Sequence, residues 1–226
     1  MIRSDSASAF ITTEHEIAGA RGSASDARRS AAEAALTRRS VRAYRDVPVT
    51  DEEVRQLLTL TGRAQSALNL QPWRFVVIRD QATKDRLQAA AYGQKQVGEA
   101  PVVLAMYADM EDTMAHLDEV VHPDLPADKK AATIAMLERN FGGMTVEARG
   151  VWANTQANIA LGYLLLIAES EGFHTSPMLG FDAETTKAIL GLPAHATITA
   201  LVALGHGAED GFRSHRHEVD RVARFV

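Results

Sequence analysis

AQSALNLQPWRFVV, residues 64–77, joins a predicted helix to a predicted strand. The helix before it begins at a capping box of Thr50 and Glu53 and ends at Gly62. The strand after it, residues 74–78, is short, rich in Val and bounded by turn residues. Small residues, with Asn69 and Gln71 shortly before the Pro-Trp pair, would let this loop lie flat against a planar ligand. The same residues are also consistent with an ordinary helix-to-strand loop that the Trp anchors.

Apolar periodicity extends this order of helices and strands over the rest of the chain. Residues 157–168 are apolar almost all round, which predicts a long helix buried in the core or at a subunit interface, with Gly172 as its C-cap. The order of the elements predicts a mixed α+β arrangement in which helices are the majority. The long helix is predicted over residues 146–171. Further helices are predicted at residues 26–37, 80–87, 128–141 and 182–190, and further strands at residues 102–107, 174–176 and 197–204.

Composition excludes several classes of function. The chain has 226 residues, a net charge of −5 and no cysteine. The negative charge leaves no basic field to attract nucleic acid or an anionic membrane surface, so we expect a small-molecule partner. Without cysteine there is no disulfide, thiolate nucleophile or iron–sulfur cluster, and redox chemistry would have to come from a bound cofactor.

The domain organisation is predicted to be simple. We expect residues 1–25 to form a flexible N-terminal extension without the apolar core of a signal peptide. Residues 26–226 are expected to form a single domain, because no repeat or linker divides them. The most apolar segment, residues 159–168, is half the length of a membrane span. The sequence therefore predicts a cytoplasmic protein with no membrane partner.

A basic segment, Arg38-Arg39-Ser40-Val41-Arg42, follows the first predicted helix. Three guanidinium groups and a hydroxyl within five residues match the donors that a phosphate dianion needs, because guanidinium stays charged and donates in pairs. The same run is also typical of a solvated face or of a charge cluster at a helix end. On its own, the segment leaves both interpretations open.

A second candidate segment, residues 176–182, reads SPMLGFD and leads from a strand end into a helix capped by Asp182. Glycine at position 180 permits a close approach of the backbone, and free amides there can point at an electron-rich ligand atom. A simple strand-to-helix turn with an Asp cap explains the segment equally well.

Taken in order, five blocks of the sequence resemble the FMN-dependent nitroreductase family. The blocks are RRSVRAY, AQSALNLQPWRFVV, AYGQKQVGEAPVVLAMY, TSPMLGFDAE, and ALGHG with a closing Arg. The resemblance covers residues 30–226, and its most specific part is the QPW loop together with the upstream Arg-Arg-Ser. It implies a mixed, mainly antiparallel sheet flanked by helices, with a long central helix. It also implies an intertwined homodimer with shared active sites and FMN at the subunit interface.

The resemblance assigns roles to the basic segment and to the loop. Arg38 and Ser40 match positions that grip the FMN phosphate, and Arg39 flanks them. Arg42 matches a basic residue near flavin N1 and O2, where a cation would stabilise the reduced ring. The residues that match a loop covering the flavin from the neighbouring subunit are Ser66, Ala67, Leu68, Asn69 and Gln71.

Further matches lie in the second half of the chain. Leu179 and Gly180 match backbone amides near flavin N5, the atom that exchanges hydride, and Pro177 and Met178 precede them in the same block. Arg216 matches the closing phosphate Arg, with Arg213 as a second candidate.

Three positions depart from the family pattern. Gly93 stands where many members have an Asn that hydrogen-bonds the flavin, so Gln94 or Gln96 is expected to take over that contact. Ser214 occupies a position that is often basic. Leu179 replaces a Glu of some members, which makes the face above the flavin less acidic and leaves the preference between NADH and NADPH open.

The family resemblance implies ping-pong transfer of hydride from NAD(P)H, through flavin N5, to a conjugated acceptor. No catalytic side chain is predicted, because the flavin supplies the chemistry and the protein positions its partners. Nitroaromatics and quinones are the expected acceptors, with enals, halogenated aromatics or a dedicated metabolite as alternatives. Residues 219–226 would either reach the partner subunit, as in family members, or form an edge strand.

Two other functions remain as alternatives. A metal hydrolase could use scattered histidines such as His116 and His122, but no His-Glu-x-x-His spacing occurs, and we predict no metal site. A flavin-binding sensor or storage protein with little turnover would need the same residues as the reductase. Reduction of the bound flavin by NAD(P)H distinguishes the two.

Overall fold

The computed structural model describes residues 28–226 of the chain. The predicted N-terminal extension, residues 1–25, lies outside the described residues, as do the first two residues of the predicted helix 26–37.

One antiparallel sheet organises the described part of the chain. Within residues 28–226 its four strands are paired in the order β1-β2-β4-β3, and every neighbouring pair is antiparallel. The mixed α+β fold with a mainly antiparallel sheet is therefore confirmed, and β1 and β3 form the two edges. The strands are β1 Trp73–Ile78, β2 Val102–Ala108, β3 His174–Met178 and β4 Thr197–Gly205.

Helices cover both faces of the sheet. Odd and even positions of β2 point to opposite faces, so Val103 and Ala105 join one apolar cluster, and Val102, Leu104 and Met106 join another. The helices of residues 28–226 are α1 Ala31–Thr37, α2 Asp51–Thr61, α3 Gln81–Ala90, α4 Lys95–Glu99, α5 Met110–Ala115, α6 Leu117–Val120, α7 Ala127–Gly142, α8 Val146–Ser170, α9 Ala183–Leu190 and α10 Val219–Val222.

One predicted helix boundary and one predicted strand are wrong. The first helix does not extend back to residue 28, because Ser30 and Glu33 form a capping box that starts α1 at Ala31. Residues 219–226 do not form an edge strand: Val219–Val222 is a single helical turn, and the segment is exposed.

The long central helix α8 has the predicted position. It ends in a Schellman motif: the Phe173 N–H donates to the Ala168 carbonyl at 2.8 Å, and Gly172 takes the left-handed conformation with φ +86°. The helix is long and apolar enough to cross a membrane by composition alone. Here it packs against strands of the sheet and against α1 and α2, which is the setting of a core helix. An exposed stripe along its outer side contains Val151, Thr155, Asn158 and Gly162.

Candidate active site

The basic segment 38–42 lies against the outer edge of β3. Val41 is fully buried, and its N–H donates to the Thr175 carbonyl at 3.1 Å, while Ser40 forms a parallel bridge with Thr175. The Tyr44 hydroxyl donates to the Val41 carbonyl at 2.8 Å, and burial raises the pKa of Tyr44. Gly211 packs over the segment so closely that a Cβ there would lie 2.7 Å from the Ser40 carbonyl oxygen. The segment is therefore fixed from both sides.

Arg38 carries a buried donor without a partner. Among the described residues, its Nη1 is the one buried side-chain nitrogen or oxygen that makes no hydrogen bond. Buried polar atoms are nearly always paired, so an unpaired guanidinium nitrogen beside Arg39 and Ser40 indicates a place for an anionic group. Arg42 is exposed, and its backbone N–H donates to the Glu209 carboxylate at 2.9 Å.

Turn 177–180 lies at the other end of β3. Leu179 is 74% exposed, and Gly180 is also exposed, so this corner is open to a ligand. The Gln94 Nε2 donates to the Gly180 carbonyl at 2.7 Å, and Gln96, which is buried, donates to the Gln94 Oε1 at 3.3 Å. Gln94 and Gln96 thus stabilise the turn through these hydrogen bonds.

The departure at Gly93 has a conformational explanation. Gly93 has φ +77° and follows Tyr92, which has φ +56°. Glycine takes the left-handed conformation freely and Asn tolerates it better than most residues, so both suit this position. The Asp182 N–H donates to the Ala90 carbonyl at 2.9 Å, which ties this corner to the start of α9. Hydrogen bonds from Thr185 hold the pKa of the Asp182 cap below its usual value.

Loop 66–71 precedes β1 at the opposite edge of the sheet. Leu68, Asn69 and Gln71 are all left-handed, with φ of 56°, 57° and 43°. The Ser66 hydroxyl accepts from the Gln71 N–H at 3.0 Å, so the loop is closed on itself. Non-glycine residues in this conformation are strained, and such strain is concentrated at functional sites.

One chain does not bring loop 66–71 to segment 38–42. Ser40 lies beside Thr175, which pairs with Leu204 at the end of β4. Trp73, just after the loop, pairs with Ala108 of β2, and Ala108 pairs with Thr197 at the start of β4. These two β4 positions are roughly 23 Å apart along the strand, and the two groups also lie at opposite sheet edges.

The predicted closing arginines are exposed. The Arg216 Nη1 donates to the carbonyl of its neighbour His215, and Arg213 lies two residues beyond Gly211. Because Gly211 contacts Ser40 and Arg39, the chain that carries both arginines leaves from beside segment 38–42.

Comparison with known proteins decides the family. The model of the nitroreductase family matches residues 35–206. The chain belongs to the nitroreductase family. A Thermus thermophilus relative named NADH dehydrogenase is 55% identical over 84% of this chain and 92% of its own length. A Bacillus subtilis protein named as an NAD(P)H nitroreductase is 29% identical over 83% of this chain and 93% of its own length.

Solved structures share the nitroreductase fold. A Staphylococcus epidermidis protein described as an NAD(P)H:FMN oxidoreductase has a TM-score of 0.81 at 23% identity and covers 88% of this chain and 97% of its own. A nitroreductase from Exiguobacterium sibiricum in complex with FMN has a TM-score of 0.79 at 24% identity, with 88% and 98% covered. Family and relatives confirm the predicted enzyme class, an NAD(P)H-dependent oxidoreductase. The E. sibiricum protein binds the predicted cofactor, FMN, on the same fold.

The residues of this nitroreductase-family protein fit an FMN phosphate. The unpaired Arg38 Nη1 and the neighbouring Ser40 lie on a segment fixed against β3, and the open corner at Leu179 lies about 13 Å further along that strand. Sequence reasoning missed two side chains that shape the site. Gln156 on α8 accepts from the Ala67 N–H at 2.8 Å. Arg74 binds the end of loop 66–71, and its position directly after Pro-Trp was the one signal available.

Proposed function

We propose that the protein is a homodimeric FMN-dependent reductase that uses NAD(P)H to reduce nitroaromatics, quinones or related conjugated acceptors. The observation that carries this proposal is the buried, unpaired Nη1 of Arg38 in the segment that the family resemblance assigns to the FMN phosphate. The T. thermophilus relative, 55% identical, carries the name NADH dehydrogenase, which supports NADH as the electron donor.

Segment 38–42 and the closing arginines would bind the cofactor. Arg38 and Ser40 would hold the phosphate. Arg216 or Arg213 would add a further positive charge beside the phosphate when the C-terminal segment folds over it. Arg42, which is exposed, would place its guanidinium near the pyrimidine edge of the ring. FMN bound there supplies the hydride exchange between donor and acceptor.

The residues around the ring would position the reactants. Gln94 and Gln96 hold the backbone of Gly180 in place, so its exposed turn offers a fixed surface beside the ring. The exposed Leu179 would give that surface an apolar face suited to flat, conjugated molecules. Orientation of two partners against one ring face requires no acid or base from the protein.

A second copy of the chain would complete the site. Loop 66–71 and segment 38–42 are too far apart in one chain for both to contact one flavin ring, so the loop would cover the cofactor of the partner. The exposed stripe of α8 and the groove beside it, lined by Leu60, Ile159 and Leu166, offer an apolar surface for that partner. Residues 219–226, which carry exposed apolar side chains, would extend towards it.

Spectroscopy tests the proposed function directly. The purified protein should be yellow, NADH or NADPH added anaerobically should bleach the flavin absorbance, and a quinone or nitroaromatic should restore it. Arg38→Gln should weaken FMN binding by about ten-fold or more, because hydrogen bonds to charged groups contribute about 1.5–3 kcal/mol. Arg45→Gln, at an exposed position three residues beyond the segment, is the matched control.

Two outcomes would contradict the proposal. A colourless protein that cannot be reconstituted with FMN would refute it altogether. A yellow protein that neither nicotinamide reduces would instead identify a flavin-binding sensor or storage protein.

A further inference from the structure

The strained shape of loop 66–71 requires something to hold it. Three of its residues, Leu68, Asn69 and Gln71, have positive φ without being glycine. Left-handed backbone is unfavourable for residues with a Cβ and persists only where surrounding contacts impose it. The contacts at the end of the loop therefore determine whether it keeps its shape.

Arg74 makes those contacts. Its Nη1 donates to the Gln71 carbonyl at 3.0 Å and to the Trp73 carbonyl at 2.8 Å. Its Nε donates to Asp112 Oδ2 at 2.9 Å, and Nη2 donates to the same oxygen. Asp112 is itself fixed on α5, because its N–H donates to the Asp109 carboxylate at 2.9 Å. One guanidinium thus ties the left-handed end of the loop to a helix of the same subunit.

The other end of the loop has separate anchors. The Ala67 N–H donates to Gln156 on α8, and the Asn69 side chain donates to the Val120 carbonyl at 2.9 Å. The Arg74 contact complements these anchors, because it acts on the backbone of Gln71, where the loop passes into β1.

We propose that Arg74 is a positioning residue for the cofactor of the partner subunit, and that it acts by holding loop 66–71 in its covering shape through Asp112. The proposal rests on the proposed function, in which this loop covers the flavin of the second copy. Arg74 does not touch the cofactor. Its loss changes how tightly the flavin is covered, because the end of the loop is then free to relax.

The same strand supplies a matched control. Arg79, at the other end of β1, is 35% exposed, against 34% for Arg74. It pairs with Asp51 and donates to the Val49 carbonyl, so it also joins a carboxylate and a backbone oxygen. Its partners lie at the start of α2, away from the loop. A purely structural role for either arginine would give the two substitutions similar effects.

The test compares Arg74→Gln with Arg79→Gln in the full-length FMN-loaded protein. We measure the dissociation constant of FMN from flavin fluorescence, the visible circular dichroism of the bound flavin at saturating FMN, and Tm. Arg74→Gln should raise the dissociation constant about ten-fold, the factor equivalent to roughly 1.4 kcal/mol, and should alter the dichroism band. Arg79→Gln should change the constant less than about two-fold at a comparable loss of Tm.

Two further variants make the comparison decisive. Arg74→Lys keeps the charge but not the planar fork, and should release FMN as Arg74→Gln does. If Arg74→Gln does not fold, Asp112→Asn, which keeps the shape of the side chain but removes its charge, takes its place. The proposal would be overturned if the Arg74 or Asp112 variants bound FMN with the affinity of the wild type and kept its dichroism band. Failure of the wild-type protein to bind FMN would instead refute the proposed function.

Discussion

A half-buried histidine, His174, links folding to pH. The Nδ1 of His174 accepts a hydrogen bond from the Gly207 N–H at 3.1 Å, which requires an unprotonated nitrogen. Burial lowers the pKa of His174 from its ordinary value. The unfolded chain therefore binds more protons than the folded chain between the ordinary pKa and the lowered one, so stability falls as pH falls through that window. The neighbouring charged or titratable groups are Glu169, Arg29, His206 and Arg45.

We expect His174→Gln to flatten the pH dependence of Tm below the ordinary histidine pKa of about 6.5. His116→Gln is the control with the opposite sign, because a backbone hydrogen bond at Asp112 raises the pKa of His116. A raised pKa gives stability below the ordinary value that is lost as pH rises, so removing His116 should steepen the acid decline. Scanning calorimetry across this range measures both slopes. Parallel curves for wild type and His174→Gln would contradict the assignment.

Contacts between residues of one helical turn could be predicted from the sequence, but contacts between residues distant in the chain could not. The Thr50 and Glu53 capping box is confirmed because both ends of that interaction lie within one turn. The unpaired nitrogen of Arg38 and the Arg74 contact with Asp112 depend on residues distant in sequence, and no local pattern encodes such pairs.

The C-terminus of α8 is a predictable element with a measurable contribution. Gly172 has φ +86°, and a Cβ added there would meet nothing within 4 Å in the described part of the chain. The effect of Gly172→Ala therefore comes from backbone conformation alone. We expect the free energy of unfolding to fall by about 1–2 kcal/mol. Urea denaturation measures it.

Gly142→Ala at the end of α7 is the matched control. Gly142 also leaves open space for a Cβ, but its backbone is helical. Alanine there should leave stability unchanged or raise it by up to about 1 kcal/mol, because it is the better helix former. An equal effect of both substitutions would show that the left-handed conformation of Gly172 is unimportant.

Strong periodicity explains which elements were predicted. Strands β1, β2 and β4 and helix α8 lie within one or two residues of their predicted bounds, because their apolar patterns are long or sharply bounded. The helices Lys95–Glu99 and Met110–Ala115 were missed, since five or six residues are too few to show a helical period. They matter to the site, because α4 follows Gln94 and α5 carries Asp112.

At the scale of the whole molecule, the sheet register explains why the proposed function requires a second copy of the chain. The family resemblance implied a homodimer from the sequence, but it gave no geometric reason. The pairing of β1, β2, β4 and β3 places loop 66–71 and segment 38–42 at opposite edges and opposite ends of one sheet. Register between distant strands depends on long-range packing, which a single sequence does not display.

The proposed dimer makes a specific prediction at Gly162. This residue lies on the exposed stripe of α8 in the groove lined by Ile159 and Leu166, and a Cβ there would meet no atom of residues 28–226 within 4 Å. Gly162→Lys should therefore fold normally as one subunit. If a second copy covers the groove, the introduced ammonium would be buried without a partner, and the dimer should dissociate. FMN should be released at the same time, because loop 66–71 departs with the partner.

Gly142→Lys provides the comparison, since Gly142 is also an exposed helical glycine with open space for a Cβ. Light scattering at micromolar concentration should give a dimer for wild type and Gly142→Lys, and a monomer for Gly162→Lys. Because the oligomeric state and the flavin content are measured together, the experiment tests separately whether α8 forms the dimer interface and whether two subunits share the flavin site. A monomeric variant that keeps its FMN would place the whole site in one chain. A dimer that survives Gly162→Lys with FMN bound would place the interface elsewhere than on α8.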